Sequence, residues 1–425
     1  MGAPLPTRPD AARIASFLVT LVVQKYGGTS VADLDRIRNV AGRIKRHVEA
    51  GERVAVVVSA MAGTTNRLVG WVHGLDAAGY DEAEYDQVVA SGEQVTIGLL
   101  AIALQTIGVP ARSFLGWQAG IRTDDVHSKA RILGVDAAAV LACLDEGRVA
   151  VVAGFQGQGP DGRVTTLGRG GSDTSAVALA AGIGAERCDI FTDVDGVYTT
   201  DPRIVAKAKK LERITYEEML EMASVGAKVL ETRSVALAMR HHVRVQVLSS
   251  FEDKPGTLVV DEDEVVETQI VSGIAYSRNE ARITVQQVKD RPGIAASIFG
   301  PLSEANINVD MIVQSVSRDG VYANMTFTVG KADLPRALAV LERAREEIGF
   351  GEVSADSDVV KVSVIGVGMR SHAGIAHKMF QTLADRGINI QAISTSEIKV
   401  SVLIGEEYTE LALRALHTAY GLDKD

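Results

Sequence analysis

From Val19 to Ser250 the chain alternates short apolar runs with longer segments of mixed Ala, Leu and Glu. The runs are LVVQ at Leu21, RVAVVVSA at Arg53, GRVAVVAG at Gly147, CDIFTDV at Cys188 and VRVQVLSS at Val243. Runs this short that are apolar at nearly every position belong to strands buried on both faces, and the segments between them carry helical spacing. Residues 19–250 therefore predict an α/β domain, a mainly parallel sheet with helices on both faces.

Past this region the pattern changes. Residues 251–267 are acidic and contain Pro255 and Gly256, which predicts a linker. The chain then repeats itself: DRPGIAASIFGPLSEANINVDMIVQS from Asp290 aligns without a gap with SHAGIAHKMFQTLADRGINIQAISTS from Ser371. Each copy reads βαββαβ, giving domains at 268–350 and 358–425. The second copy ends near Leu422 without a fourth strand, and the unassigned run Thr268 to Tyr276 is expected to supply it.

Length and composition agree with several domains, since 425 residues at 46% hydrophobic content exceed one core. Asp and Glu (54) outnumber Lys and Arg (44), and no basic stretch could track a phosphate backbone, so nucleic acid is not an expected partner. The two cysteines, Cys143 and Cys188, support neither a disulfide framework nor a metal site and fit a reducing cytoplasm. The apolar run Ile14 to Val23 leads straight into KYGGTS and reads as the first strand, not a signal peptide; residues 1–18 form an extension with no assigned role. No uninterrupted apolar run reaches membrane-spanning length, so a soluble protein with no membrane partner is expected.

Four loops follow strands and carry chemistry. KYGGTS, Lys25 to Ser30, brings a lysine, two glycines and a helix start together, which suits a phosphate better than an ordinary capped turn. VVVSAMAGTTN places Ser59, Thr64 and Thr65 at the C-terminal edge of the second strand, where ligands of open α/β sheets bind. TTLGRGGSDTSA puts Arg169, Gly170, Gly171, Ser172 and Asp173 ahead of a helix; the guanidinium suits a carboxylate and the amides an anion, although Asp173 alone also reads as a helix cap. TDVDGVYTTDPR groups Asp193, Asp195 and Asp201 with Tyr198 and Arg203, either solvated loop acids or the wall of a nucleotide pocket. Gly157, Gly159 and Gly162 spell GxGxxG, but no helix opens after them. No P-loop or protein-kinase motif is present.

Together with SGE at Ser91 and VGAKVLETRSV at Val225, these loops closely resemble the aspartokinases of the amino-acid kinase fold, in the family's order. The C-terminal repeat is similar to that family's paired ACT domains. The resemblance implies phosphorylation of the side-chain carboxylate of L-aspartate by ATP and Mg²⁺, giving 4-phospho-L-aspartate. This is the first step toward lysine, threonine and methionine through diaminopimelate. It implies catalytic roles for Lys25, Asp173 and Lys228, and aspartate binding by Ser59, Thr64, Thr65, Glu93, Arg169 and Ser172. ATP would meet Lys25, Tyr26, Gly27, Gly28, Gly170, Gly171, Thr192, Asp193, Tyr198, Asp201, Arg203 and Lys228. No protein side chain is assigned to a metal.

The same resemblance implies feedback by lysine, threonine or both at Asp290, Gly293, Ile294, Ala295, Asn308, Asp310, Gln314, Asn389 and Ile390, in a homodimer or higher oligomer joined through the ACT domains. Taken alone, Ile294, Ala295 and Ile390 read as core packing. The alternatives are another amino-acid kinase of this fold, against which SGE with GRGGSD argues, and a non-catalytic amino-acid sensor, against which Lys25, Arg169, Asp173 and Lys228 together argue.

Overall fold

The computed structural model describes residues 20–75, 79–226, 229–265, 270–318 and 320–424. They form two compact units: one runs to Gly196 and returns for Arg233–Val260, and the other combines Val197–Thr232 with the chain from Asp261 onward.

In the first unit the main sheet orders its strands Thr257–Val260, Val245–Ser249, Arg187–Thr192, Leu21–Tyr26, Arg53–Val58, Val149–Ala153, Ala111–Phe114. All neighbours are parallel except the first pair. This is the mainly parallel sheet expected, with one difference. Residues 251–267 are not wholly a linker, because Thr257–Val260 turns back antiparallel against Val245–Val247. The acidic residues flanking it obscured a four-residue apolar strand, TLVV.

Ile37, Val40 and Ile44 of the helix Leu34–Glu49 and Ile97, Leu100 and Leu104 of the helix Ser91–Thr106 join strand valines in one core. Each such side chain contributes roughly 1.5–3 kcal/mol on burial. The first helix begins cleanly because Asp33 accepts the Arg36 amide at 2.8 Å. The run Glu82–Thr106 is long and apolar enough to cross a membrane, but half of it is buried inside the protein, as a core helix would be. A second small sheet, of Ile132–Val135, Ile121–Thr123, Gln156–Gln158 and Val164–Thr166, lies in the same unit.

The second unit carries the six-stranded sheet Val309–Val316, Tyr322–Val329, Gly273–Lys289, Glu352–Ile365, Lys399–Gly405, Ala392–Thr395. Its two long central strands serve both repeats. Arg282–Gln286 pair with Glu352–Asp356 within the first copy, whereas Gly273–Ser277 pair with Lys361–Ile365 and so give the second copy its fourth strand. Thr268 and Gln269 lie outside the described residues. Gly293 and Gly374 cap the equivalent helices at φ 92° and 95°, a left-handed conformation that explains why the repeat keeps glycine at both positions. Each copy has its own core, around Ile298, Phe327 and Leu341 in the first and Met379, Val402 and Leu416 in the second.

Within the region read as 19–250, the stretch Val197–Thr232 packs in the same compact unit as the repeats. Val205 enters the core of the second copy, the Ile274 amide donates to the Thr199 carbonyl at 2.7 Å, and Glu218 accepts from Ser272 Oγ at 2.5 Å and the Val367 amide at 3.0 Å.

Candidate active site and effector residues

The register sets Lys25 beside Val57 and Ile190, so the C-terminal ends of three central strands lie level. At that edge Lys25 Nζ lies 2.5 Å from Asp173 Oδ1, both side chains nearly buried at 12% and 11% exposure. Asp173 stands in the first turn of the helix Gly171–Ile183, introduced by Gly170 at φ 67°. The contact is a close ion pair. Ser59, leaving the second strand, donates to Ser172 Oγ at 3.0 Å.

Glu93, in the first turn of Ser91–Thr106, is 2% exposed. Its Oε1 accepts the Ala60 amide at 2.9 Å, and its Oε2 is buried with no partner among the described residues. Burial pushes the carboxyl up to about 7, with the Ala60 amide pulling the other way.

Close backbone approach holds these parts together. A Cβ on Gly28 would lie 2.9 Å from the Ala60 carbonyl, and one on Gly92 2.8 Å from Ala60 Cβ. Gly154, which sequence reading passed over, closely approaches Ser172: a Cβ there would lie 2.8 Å from Ser172 Oγ. Its signal was its place at the end of the strand run GRVAVVAG. Gly27 begins the turn in which Gly28–Val31 form a short 3₁₀ helix, and Gly171 packs against Leu167 and Phe155. Thr64 and Thr65 open the helix Thr64–His73, with Thr64 close to Gly92. Arg169 is exposed between Gly168 and Gly170, both at positive φ, and Thr192 ends its strand, its hydroxyl donating to the exposed Asp193 at 3.2 Å.

Other expected residues are placed differently. Tyr26 is a core residue and not a nucleotide contact through its side chain: it is fully buried, stacked on Phe191 at 4.6 Å, and its hydroxyl donates to Gln24 Oε1 at 3.1 Å. Tyr198, Asp201 and Arg203 belong to the second unit. There Asp201 accepts Arg203 Nη2 at 2.8 Å and Tyr276 Oη at 3.1 Å, and Arg203 beside it holds its carboxyl below the usual carboxylate range. Lys228 lies outside the described residues. Among the described residues no group of three His, Cys, Asp or Glu side chains is arranged to hold a metal.

In the repeats, Gln314 donates to Asp290 at 3.2 Å. Asp310 accepts Lys361 Nζ at 2.8 Å, and the same lysine reaches Glu280 at 2.8 Å. Burial works against the charge on Asp310, but Lys361 outweighs it and holds the carboxyl below its usual range. Ile294 lies in the first core and Ile390 is packed at the edge of the second, whereas Ala295 is exposed, against its reading as core. Gly293, Asn308 and Asn389 are exposed.

Comparison with known proteins agrees with the fold. Residues 20–249 match the amino acid kinase family, and residues 281–346 and 362–420 each match the ACT domain. An aspartate kinase of Pseudomonas putida is 55% identical, the match covering 95% of this chain and 98% of the relative. An aspartokinase of Mycolicibacterium smegmatis is 48% identical over 96% of this chain and 97% of its own. Among solved structures, E. coli aspartokinase III in complex with aspartate and ADP superposes with a TM-score of 0.78 at 29% identity, covering 94% of this chain and 99% of that one. The same enzyme with lysine and aspartate gives 0.75 at 30% identity, covering 94% and 99%. The chain therefore belongs to the aspartate kinases of the amino acid kinase family, with two ACT domains after the kinase region.

Proposed function

We propose that the protein transfers the γ-phosphoryl group of ATP to the side-chain carboxylate of L-aspartate, giving 4-phospho-L-aspartate and ADP, as the entry to lysine, threonine and methionine synthesis in the cytoplasm. The observation that carries the substrate assignment is the Oε2 of Glu93, buried without a partner among the described residues. An anionic oxygen in a nearly closed site calls for a cation, and the ammonium of an amino acid supplies one. Arg169 would fork onto the α-carboxylate, with Ser59, Thr64, Thr65 and Ser172 completing the acceptor site.

The acceptor carboxylate, with an ordinary pKa near ~3.9, is already a nucleophile at neutral pH, so no general base is needed. One of its oxygens attacks the γ-phosphorus in line while the bond to the β-γ bridging oxygen breaks and ADP departs. What opposes the reaction is repulsion between two anions, and Lys25 with the amides of Gly27, Gly28, Gly170 and Gly171 would gather the charge. Asp173 holds Lys25 in place through its ion pair. Thr192 and Asp193 are proposed for the nucleotide. Mg²⁺ is expected to enter on the phosphates of its substrate.

The repeats are proposed to sense lysine, threonine or both, with Asp290, Gln314 and Asp310 as polar contacts. The edge strand Val309–Val316 exposes Ile312 (51%) and Val316 (52%), and this supports association through the ACT domains into a dimer or higher oligomer. ADP release would be measured from ATP and Mg²⁺ with L-aspartate or L-glutamate, each with lysine, threonine and both. Release with aspartate alone, suppressed by an effector, is expected. Equal release with glutamate would favour another amino-acid kinase, and effector binding without release would leave a sensor.

A further inference from the structure

The loop that carries Arg169, Ser172 and Asp173 is held from behind by two residues outside the acceptor site. Asp86, on the helix Glu82–Val89, is fully buried. Its carboxylate accepts the Ser128 amide at 3.1 and 3.0 Å on its two oxygens, His127 Nδ1 at 2.8 Å, the Thr166 amide at 3.0 Å, and the Thr166 hydroxyl. A carboxylate has about four acceptor positions, so this one is saturated by its neighbours.

Arg233 forms the second clamp. Its Nη1 donates to the Leu167 carbonyl at 2.6 Å and its Nη2 to the Ala130 carbonyl at 2.8 Å. The Ala130 amide in turn donates to the Thr166 carbonyl at 2.9 Å. Segments 127–130 and 166–167 are thus laced together immediately before Gly168, where a Cβ would lie 3.1 Å from the Ser128 carbonyl. Ser128 itself sits at φ 63°, a conformation that a residue with a side chain adopts only when its surroundings impose it.

We propose that Asp86 and Arg233 are positioning residues for the acceptor amino acid. By fixing Thr166 and Leu167 they set where the following loop presents Arg169 and Ser172. The inference rests on the reading of that loop as the acceptor site.

The test uses the full-length enzyme with Asp86→Asn, Arg233→Ala, Arg233→Lys and Arg169→Ala. Steady-state rates would be taken against both substrates, together with melting temperature and amide hydrogen exchange over 166–173. Misplacement of a reacting group by about 1 Å can cost ~100-fold, so each clamp variant is expected to raise KM for aspartate ~10-fold or more while KM for ATP stays within about twofold. Arg233→Ala, which removes both bonds to the Leu167 and Ala130 carbonyls, should exchange faster at 166–173. Arg233→Lys should recover part of the loss. Combined with Arg169→Ala, Arg233→Ala should add nothing further.

Equal rises in both KM values, unchanged exchange, or full additivity with Arg169→Ala would overturn the proposal. Should Asp86→Asn fail to fold, Arg233→Ala decides alone. Should the unmodified enzyme show no aspartate-dependent ADP release, the functional reading fails, and hydrogen exchange still decides whether the clamp exists.

Discussion

Glu93 and Ala60 define the chemical character of the site: the Ala60 amide donates to one carboxylate oxygen at 2.9 Å, and the other oxygen is buried without a partner among the described residues. Glu93→Gln keeps the acceptor for Ala60 and removes the charge. It is expected to raise KM for aspartate by ~100-fold, the loss of a charge-assisted contact of about 3 kcal/mol. A KM unchanged in steady-state kinetics would show that Glu93 does not meet the amino group.

The same substitution is expected to stabilise the ligand-free protein at alkaline pH. The Glu93 carboxyl lies at about 7 in the folded protein against 4.5 unperturbed. Its contribution is therefore fully present below 4.5 and lost as pH rises through about 7, a difference of ~3 kcal/mol. The unpaired amide nitrogen of glutamine offsets part of this, leaving a gain of ~1–2 kcal/mol at pH 8 by denaturant unfolding. No gain would mean that the wild-type carboxylate is not poorly solvated.

Aspartate binding should also depend on pH through this group. Below about 7 the free enzyme must lose a proton from Glu93 before an ammonium can pair with it, so KM for aspartate should fall as pH rises toward 8. The pH dependence should vanish in Glu93→Gln, which a pair of pH profiles would show.

Lys25 and Asp173 form a nearly buried pair, and their separate and joint removal should differ. Lys25→Ala leaves Asp173 uncompensated, with an expected loss of ~3 kcal/mol in stability and of ~10²–10³ in turnover, far more than any change in aspartate affinity. Adding Asp173→Ala should restore stability and leave activity lost. Recovery of turnover in the double variant would reduce Lys25 to a structural role.

Lys361 ties Glu280 to Asp310 across the repeats, with side-chain exposure of only 6%. Burial works against its charge, and the two carboxylates outweigh that, so its ammonium titrates above the usual lysine range. Lys361→Met is expected to destabilise by ~3 kcal/mol, chiefly through the stranded Glu280, and to weaken inhibition by the effector amino acid about fivefold or more. An unchanged inhibition curve would separate this triad from effector sensing.

Strand-end loops were legible because parallel strands announce themselves as continuous apolar runs, and the loop at each C-terminal end follows at once. The repeat was legible for the same local reason, down to Gly293 and Gly374. What could not be read was tertiary allocation. Tyr26 sits one residue from Lys25, but strand alternation sends its ring inward onto Phe191. Nothing local in TDVDGVYTTDPR tells that the chain changes unit after Gly196, or that Asp201 will meet Tyr276. Asp86 and Arg233 lie far in sequence from the loop they brace, so only the fold joins them to it.

The central claim is that the γ-phosphoryl group reaches the side-chain carboxylate of aspartate, and trapping the product with hydroxylamine tests it most directly. Incubation of the enzyme with ATP, Mg²⁺ and L-aspartate should yield the side-chain hydroxamate of aspartate, none in its place with L-glutamate, and almost none with Lys25→Ala. Absence of the aspartate hydroxamate while ADP is released, or equal trapping with glutamate, would contradict the assignment.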